Sequence, residues 1–346
     1  MNNIRTNKLY TWIAIALFVI VFAALLTVAT LFDLDISKIM TKNSLPEGNY
    51  FSTSGFGLFF EAVGSAPVYI MGSIVGVILF WWGIRKDNLS LRVILTIVGA
   101  VAVFVGLYLF INDIFKYIGE HMHDEEYMGK GYVQFCILTL TLINSVLLVL
   151  TWKNVGKVTN DKLIIWVLVI LGVIICYLVV HFVKGPVGRM RYRAMNYSEE
   201  YGFEYFTRWY VVNGERNLVP VAHGVEISDS CKSFPSGHTY SAGVIYTLVC
   251  LPDLLEKWNK KWIKAVIYSG TAVFTGIVAI SRIVVGAHFM SDVLFGGTLS
   301  FLACMLFREI FIFRFAHFKN LFSKKSDEAT EKENISESES ETETVA

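Results

Sequence analysis

Three short polar clusters stand in the otherwise apolar second half of the chain, each where a hydrophobic run begins or ends. Together they hold two histidines, one carboxylate and several permanent cations, a set that can bind a phosphate group and transfer it without a metal ion. The clusters are residues 184–191 (KGPVGRMR), residues 235–238 (PSGH), and Ser281-Arg282 followed by His288 and Asp292.

The third cluster offers a nucleophile. His288 and Asp292 are four residues apart, so on a helix they share one face. A carboxylate that accepts a hydrogen bond from one imidazole nitrogen fixes the tautomer and leaves the other nitrogen free to attack phosphorus. The alternative interpretation is a structural helix-end pair that only satisfies Asp292.

The second cluster has the composition of a helix start. Pro and Ser suit the first turn, and Gly allows a ligand to approach the exposed N–H groups, which favour an anion. His238 adds a proton donor at this turn. A plain helix N-cap is the alternative, because Ser-Gly-His alone is a weak signal.

The first cluster and Arg282 supply cations. Lys184, Arg191 and Arg282 can donate to phosphate oxygens, and arginine is suited to bidentate contacts. We interpret Arg189 and Arg193 as snorkelling residues at the membrane boundary.

Composition defines the class of protein that carries these clusters. Hydrophobic residues make up 54% of the 346 residues and charged residues only 17%, whereas soluble domains carry about a quarter of their residues as charged side chains. The net charge of +1, without a basic stripe, gives no sign of a nucleic-acid partner. Four of the five cysteines fall inside apolar runs and no Cys-x-x-Cys occurs, so we expect neither a structural disulfide nor a cysteine metal site.

The elements that position the clusters must be helices, because backbone groups in lipid have to be satisfied within each segment. Apolar stretches of roughly 20 residues predict an all-α, polytopic transmembrane bundle of about eight spans. They lie near residues 10–32, 66–84, 93–111, 132–152, 163–183, 237–255, 262–281 and 289–313.

Lysine and arginine residues predict the orientation of this bundle. The N-terminal tail and every second connection are basic, whereas the third connection, residues 112–131, holds mainly Asp and Glu. Both termini are therefore expected in the cytoplasm. All three clusters then lie at the outer ends of their helices.

In order and spacing, the three clusters resemble the signature of the type 2 phosphatidic acid phosphatase (PAP2) superfamily, which includes vanadium-dependent haloperoxidases and bacterial acid phosphatases. The resemblance covers about residues 184–313 and implies a six-helix PAP2-like core. Tyr192 stands where the family usually has proline. The chain also has about two spans more than the family's membrane members.

The resemblance implies that His288 forms a phospho-histidine, that Asp292 orients it, and that His238 protonates the leaving group and later activates water. It implies no metal and no other cofactor. The phosphate would be bound by Lys184, Arg191, Arg282, Ser236 and the Gly237 amide.

We predict three regions. Residues 1–131 form an N-terminal membrane region with extra spans and a short interfacial helix at 51–63. Residues 132–315 form the PAP2-like catalytic core. Residues 316–346 form an acidic cytoplasmic tail, and its Ser/Glu/Thr-rich composition is typical of disorder.

Three features remain open between two interpretations. The aromatic residues of segment 192–234 form either a lid over the substrate or an interfacial belt. His121 and His123, beside acidic residues 124–126, form a metal site or, as we favour, a solvated acidic loop. His181 touches the site or, as we favour, is a hydrogen-bonded helix-end histidine.

These observations predict a membrane lipid-phosphate phosphatase, a hydrolase of phosphoric esters or diphosphate lipids, with its site on the outer face of the cell membrane. The substrate would be a phospholipid such as phosphatidic acid or a polyprenyl phosphate. A phosphotransferase of the same superfamily and a non-catalytic protein that binds or transports phosphate lipids are the alternatives.

Overall fold

The computed structural model describes residues 8–122, 124, 126–153, 160–197, 202–214 and 230–322, and in these residues all regular structure is helical. The bounds of the twelve α-helices are α1 (Lys8–Thr41), α2 (Gly55–Val63), α3 (Ala66–Ile84), α4 (Leu89–His121), α5 (Gly131–Thr151), α6 (Asn160–Val187), α7 (Tyr192–Tyr197), α8 (Gly237–Gly243), α9 (Leu251–Leu254), α10 (Lys261–Val284), α11 (Met290–Arg308) and α12 (Ala316–Phe322).

Within this described part, seven helical segments are long and apolar enough to cross a membrane, which confirms the predicted polytopic helical bundle. One of them, Gly55–Ile84, joins α2 to α3, so the predicted interfacial helix leads directly into a span. Helices α1 and α4 continue furthest beyond their predicted ends, to Thr41 and to His121. The polar residues of these extensions therefore lie on helices.

The predicted sixth span, residues 237–255, is not one continuous α-helix. It consists of α8, a 3₁₀ helix at Val244–Cys250, and α9. With rises of about 1.5 Å per α-helical and 2.0 Å per 3₁₀ residue, the three pieces extend about 30 Å, the thickness of a bilayer core. Because α8 begins and α10 ends beside the same cavity, this segment returns the chain to the opposite end of the bundle.

Small residues let α3 and α4 pack closely. A Cβ added to Gly76 would lie 2.6 Å from the Val103 nitrogen and 2.7 Å from the Gly99 oxygen. The close-packing role typical of Gly-x-x-x-Gly pairs therefore holds for Gly76, whereas a Cβ on Gly72 would meet nothing within 4 Å.

The main hydrophobic cluster lies between α3, α6, α11 and the mixed segment 237–254. Two buried hydrogen bonds attach that segment to α6. Trp166 Nε1 donates to the Thr247 carbonyl oxygen at 2.8 Å, and the Tyr240 hydroxyl donates to the Val173 carbonyl oxygen at 3.0 Å. The mixed segment that begins with the Pro-Ser-Gly-His turn is thereby fixed against the first half of α6.

The N-terminal helices pack on this core. α1 contacts α10 and α11, and α2 contacts α4 and α10. The proposed regions 1–131 and 132–315 are thus in direct contact. At the other end of the chain, residues 316–322 of the predicted tail are helical in α12, and residues 323–346 lie outside the described residues.

Candidate active site

The three polar clusters meet at one end of the bundle, around a cavity of about 210 Å³. Five predicted site residues line it: Lys184, Arg191, Gly237, His238 and Arg282. The other three, Ser236, His288 and Asp292, are 0% exposed and are not among its lining residues. The cavity is completed by Glu61, Ser65, Tyr69, Asp113, Lys116, Tyr117, Glu120, Tyr177, His181 and Arg193.

A glycine turn at the end of α6 shapes the first cluster. Lys184 lies in the last turn of α6. Gly188 has φ of +59°, and a Cβ there would collide with the Gly214 carbonyl oxygen, so only glycine fits. Beyond the turn, the Arg191 amide donates to the Ser230 carbonyl oxygen at 2.8 Å. Lys184 and Arg191 reach the cavity from the two sides of this turn.

The second cluster starts α8 as predicted. The Ser236 hydroxyl accepts from the Thr239 amide at 3.3 Å, which is the bond of a helix N-cap. Gly237 lines the cavity, and a Cβ there would lie 2.9 Å from His181 Cε1 and 3.2 Å from Lys184 Nζ. Glycine therefore leaves room for both side chains, and His181 lines the cavity, in agreement with the first of its two interpretations.

His238 contacts a residue that the sequence analysis did not single out. The Tyr117 hydroxyl oxygen lies 2.8 Å from His238 Nε2. Tyr117 belongs to the extension of α4, as do Asp113, Lys116 and Glu120. The sequence predicts these charged residues in an outward loop. They lie on a helix and line the cavity instead.

A buried carboxylate of α2 holds Arg282. Arg282 Nη2 donates to Glu61 Oε1 at 2.7 Å, and Arg193 Nη1 donates to the same oxygen at 3.2 Å. Nε and Nη1 of Arg282 have no hydrogen-bond partner in the part of the chain that the structure describes. These two donors remain for an anion in the cavity.

His288 and Asp292 are neighbours but are not directly hydrogen-bonded. The distance from His288 Nδ1 to Asp292 Oδ2 is 3.8 Å, which is beyond hydrogen-bond range. Nδ1 lies 2.6 Å from the Ser233 carbonyl oxygen. Because a carbonyl can only accept, Nδ1 carries the proton and Nε2 the lone pair. Nε2 has no partner among the residues described.

Asp292 reaches His288 through Ser233. Its Oδ2 accepts from Ser233 Oγ at 2.5 Å and from the Phe289 amide at 2.8 Å. Its Oδ1 accepts from Arg189 Nη1 at 2.5 Å. Ser233 thus links the two residues: its hydroxyl bonds to Asp292 and its carbonyl fixes the tautomer of His288. The sequence predicts a direct hydrogen bond between Asp292 and His288, which the structure does not have.

The imidazole of His288 is neutral at physiological pH. Burial lowers the pKa of His288 to about 3, and the positive charges of Arg191 and Lys184 act in the same direction. A neutral ring with an unbonded Nε2 is the form of histidine that can act as a nucleophile.

Arg189 and Arg193 are buried, so our interpretation of them as snorkelling residues is wrong. Arg189 pairs with Asp292 and, at 3.0 Å, with Asp33 of α1, and Arg193 pairs with Glu61. The sequence does contain one sign that Asp33 and Glu61 have buried partners. An acidic residue within or just after an apolar run needs a partner, and both Asp33 and Glu61 are so placed.

The aromatic residues after Arg191 take part in packing. Tyr192, which replaces the family's usual proline, is buried, and its ring centroid lies 6.4 Å from that of Phe289. Trp209 Nε1 donates to Thr30 Oγ1 of α1 at 2.9 Å. These contacts attach the segment to the bundle. Tyr201 lies outside the described residues.

The predicted acidic loop is only partly described, because His123 and Glu125 lie outside the described residues. Among the residues that the structure does place, no group of three or more His, Cys, Asp or Glu side chains is arranged to hold a metal ion.

Comparison with known proteins gives two matches and one negative result. The sequence model of the PAP2 superfamily matches residues 164–316, which contain all of the predicted site residues. Phosphatidylglycerophosphatase B of Bacillus subtilis (strain 168) is 34% identical over 92 residues, which are 26% of this chain and 42% of the relative. The chain thus aligns with less than half of that relative's length. No solved structure matches the chain.

Proposed function

We propose that this chain, whose residues 164–316 belong to the PAP2 superfamily, is an integral membrane phosphatase that hydrolyses a phosphomonoester or diphosphate lipid. One observation carries the proposal. A single cavity gathers the cations Lys184, Arg191 and Arg282 with His238. His288, whose buried Nε2 has no partner among the described residues, lies close enough to Lys184 and Arg191 for their charges to act on its ring. Cations bind phosphate oxygens, and the two histidines supply the nucleophile and the proton.

In the proposed reaction, His288 Nε2 attacks phosphorus, so that a P–N bond forms and the P–O bond to the leaving group breaks. His238 donates a proton to the departing oxygen. It then takes a proton from water, which attacks the phospho-histidine, breaks the P–N bond and releases inorganic phosphate. Ser233 and Asp292 keep the Nδ1 proton of His288 in place. Tyr117 orients the His238 ring.

Stabilisation of the transferred phosphoryl group falls to the cations. Arg282 offers two donors, Nε and Nη1, on different edges of its guanidinium, while Glu61 holds its Nη2. Lys184 and Arg191 approach from the turn after α6. Phosphate contacts from the Gly237 amide and the Ser236 hydroxyl remain predictions, and the Ser236 hydroxyl already caps α8.

A second cavity supports a lipid substrate. Its volume is about 180 Å³, it lies between α2 and α4, and it shares Glu61, Tyr117 and Glu120 with the polar cavity. Its other walls are mainly apolar and comprise Phe51, Leu58, Ala62, Ile118, His121 and Met122. A phosphate lipid would place its phosphate in the polar cavity and the start of its hydrocarbon portion in the apolar one.

The distribution of charge supports a location in the cell membrane with the site outside and both termini in the cytoplasm. The connections at the end opposite the site are basic, with Lys86 after α3, Lys153 after α5 and Lys260 before α10. Single cysteines at residue 128 and in the C-terminal tail should therefore react with an impermeant thiol reagent from opposite sides, in a background without the native cysteines. Labelling of both from the same side would overturn this topology.

The test of function offers the purified protein three substrates in micelles with a chelator present: phosphatidic acid, phosphatidylglycerophosphate and a polyprenyl diphosphate. We expect phosphate release from at least one, inhibition by vanadate, and loss of release in His288→Asn. His317→Ala is the matched control, because His317 pairs with Glu309 after α11, away from the site.

Three outcomes would overturn the proposal. A requirement for added Mg²⁺ would rule out the metal-independent mechanism. Lipid binding without release of phosphate would identify a binding or transport protein. Transfer of the phosphoryl group to an added alcohol in place of water would identify a phosphotransferase. The name of the bacterial relative makes phosphatidylglycerophosphate the first substrate to test.

A further inference from the structure

Arg189 lies at the centre of a buried network, and all three nitrogens of its guanidinium donate hydrogen bonds within it. It is 0% exposed. Nε donates to the Thr207 carbonyl oxygen at 2.9 Å, Nη1 donates to Asp292 Oδ1 at 2.5 Å and to Ser291 Oγ at 2.7 Å, and Nη2 donates to Asp33 Oδ2 at 3.0 Å. One arginine thus joins the carboxylate beside the proposed nucleophile to a carboxylate on the first helix of the chain.

Asp33 also holds the start of α11 directly. Its Oδ1 accepts from the Ser291 amide at 2.9 Å, and its Oδ2 accepts from the Ser291 hydroxyl. Ser291 is the residue before Asp292, so Asp33 fixes the first turn of the helix that carries Asp292. Asp33 therefore acts on Asp292 twice, through Arg189 and through the backbone.

The charges of this network bear on the proposed reaction. Asp33 and Asp292 contribute two negative charges and Arg189 one positive charge, so the network carries a net charge of −1 next to His288. When Nε2 bonds to phosphorus while Nδ1 keeps its proton, the imidazole becomes cationic. A nearby negative charge stabilises that cation, and a buried site makes the effect stronger than in water.

We infer that Asp33 of α1 is a positioning residue for His288, so that a helix outside the matched family region completes the active site. The inference rests on the proposed function. Arg189 alone would neutralise the charge of Asp292. Asp33 adds a second negative charge, so the three residues together keep a net charge of −1. Asp33 also fixes the α11 turn from which Asp292 holds Ser233 and, through Ser233, the Nδ1 proton of His288.

The test is Asp33→Asn, which keeps the shape of the side chain and removes its charge. We expect kcat for phosphate release to fall at least tenfold and KM to change less than threefold, because the phosphate cations are untouched. Asp33→Glu should restore part of kcat. Thr30→Val is the matched control: it removes another α1 contact with the site end, the bond to Trp209, without changing charge. An unchanged kcat in Asp33→Asn, or an equal loss in Thr30→Val, would overturn the inference.

A second measurement separates this inference from the proposed function. ¹⁵N NMR of histidine-labelled protein, with the His288 signals assigned by their loss in His288→Asn, reports the ring environment without turnover. We expect the His288 signals to shift in Asp33→Asn and to stay in place in Thr30→Val. If the unmodified protein releases no phosphate, the proposed function fails, and these spectra still decide the role of Asp33. Unchanged His288 signals in Asp33→Asn would reject it.

Discussion

Removal of the Glu61 charge should have opposite effects on ligand binding and on stability. Glu61 bonds to Nη2 of Arg282, whose Nε and Nη1 are left for an anion. An anion bound by either of these donors lies about 7 Å from the carboxylate, where repulsion between unit charges is about 2 kcal/mol at an effective dielectric constant of about 20. Glu61→Gln keeps the acceptor oxygen and removes the charge. We therefore expect vanadate to bind roughly ten- to thirtyfold more tightly.

The same substitution should destabilise the protein. Glu61 Oε1 accepts from two buried arginines, Arg282 at 2.7 Å and Arg193 at 3.2 Å. Replacing an ionic acceptor with a neutral one weakens each bond by about 1 kcal/mol. The expected loss of about 2 kcal/mol lowers the thermal midpoint by a few degrees. Vanadate inhibition of phosphate release gives the affinity, and thermal unfolding in detergent gives the stability.

Glu120→Gln is the control for Glu61→Gln. Glu120 lines the same cavity, but its side chain is 37% exposed and pairs with the exposed Lys116 at 3.6 Å, so water screens its charge and the loss of that charge should change vanadate affinity less than threefold. Weaker vanadate binding in Glu61→Gln would refute the repulsion argument, because it would show that Glu61 serves mainly to hold Arg282 in position.

Three further predictions concern the histidines and the glycine of the site. Because the pKa of His288 is lowered to about 3, its ring ¹⁵N signals should stay constant from pH 8 to pH 5. A histidine with the ordinary pKa of about 6.5 becomes protonated in this window. A titration midpoint above pH 5 for His288 would contradict the prediction. Tyr117→Phe should lower kcat about fivefold with KM unchanged, since it removes one hydrogen bond of about 1 kcal/mol to His238; unchanged kinetics would exclude that role. Gly237→Ala should raise the vanadate inhibition constant at least tenfold, and the second substitution His181→Ala should reverse this, because the added Cβ would lie 2.9 Å from the His181 ring; no reversal would contradict the steric cause.

The sequence was sufficient for the approximate positions of the spanning segments and for the identity of the clusters, because each depends on local information. An apolar run of spanning length predicts a transmembrane helix by itself, and the spacing within each cluster is short. Alternating helix directions then place Lys184, Gly237 and Arg282 at one end of the bundle, where the structure has them around one cavity.

The partners of the site residues could not be predicted, because they come from distant parts of the chain. Tyr117 and His238 are 121 residues apart, and Glu61 and Arg282 are 221 apart. A single sequence contains no information that pairs one buried carboxylate with one arginine. The mixed α and 3₁₀ character of residues 237–254 was hidden for another reason: both helix types bury the same apolar residues, so hydropathy does not distinguish them.

The position of Asp33 has a consequence for the order in which the protein is made. Asp33 precedes Arg189 by 156 residues and Ser291 by 258. A ribosome adds about 5–20 residues per second, so roughly 8–30 s pass between synthesis of Asp33 and synthesis of Arg189. Throughout that interval, the polar partners that hold Asp33 in the finished protein do not yet exist. Helix α1 therefore reaches its final state only after Ser291, at the start of α11, has been made.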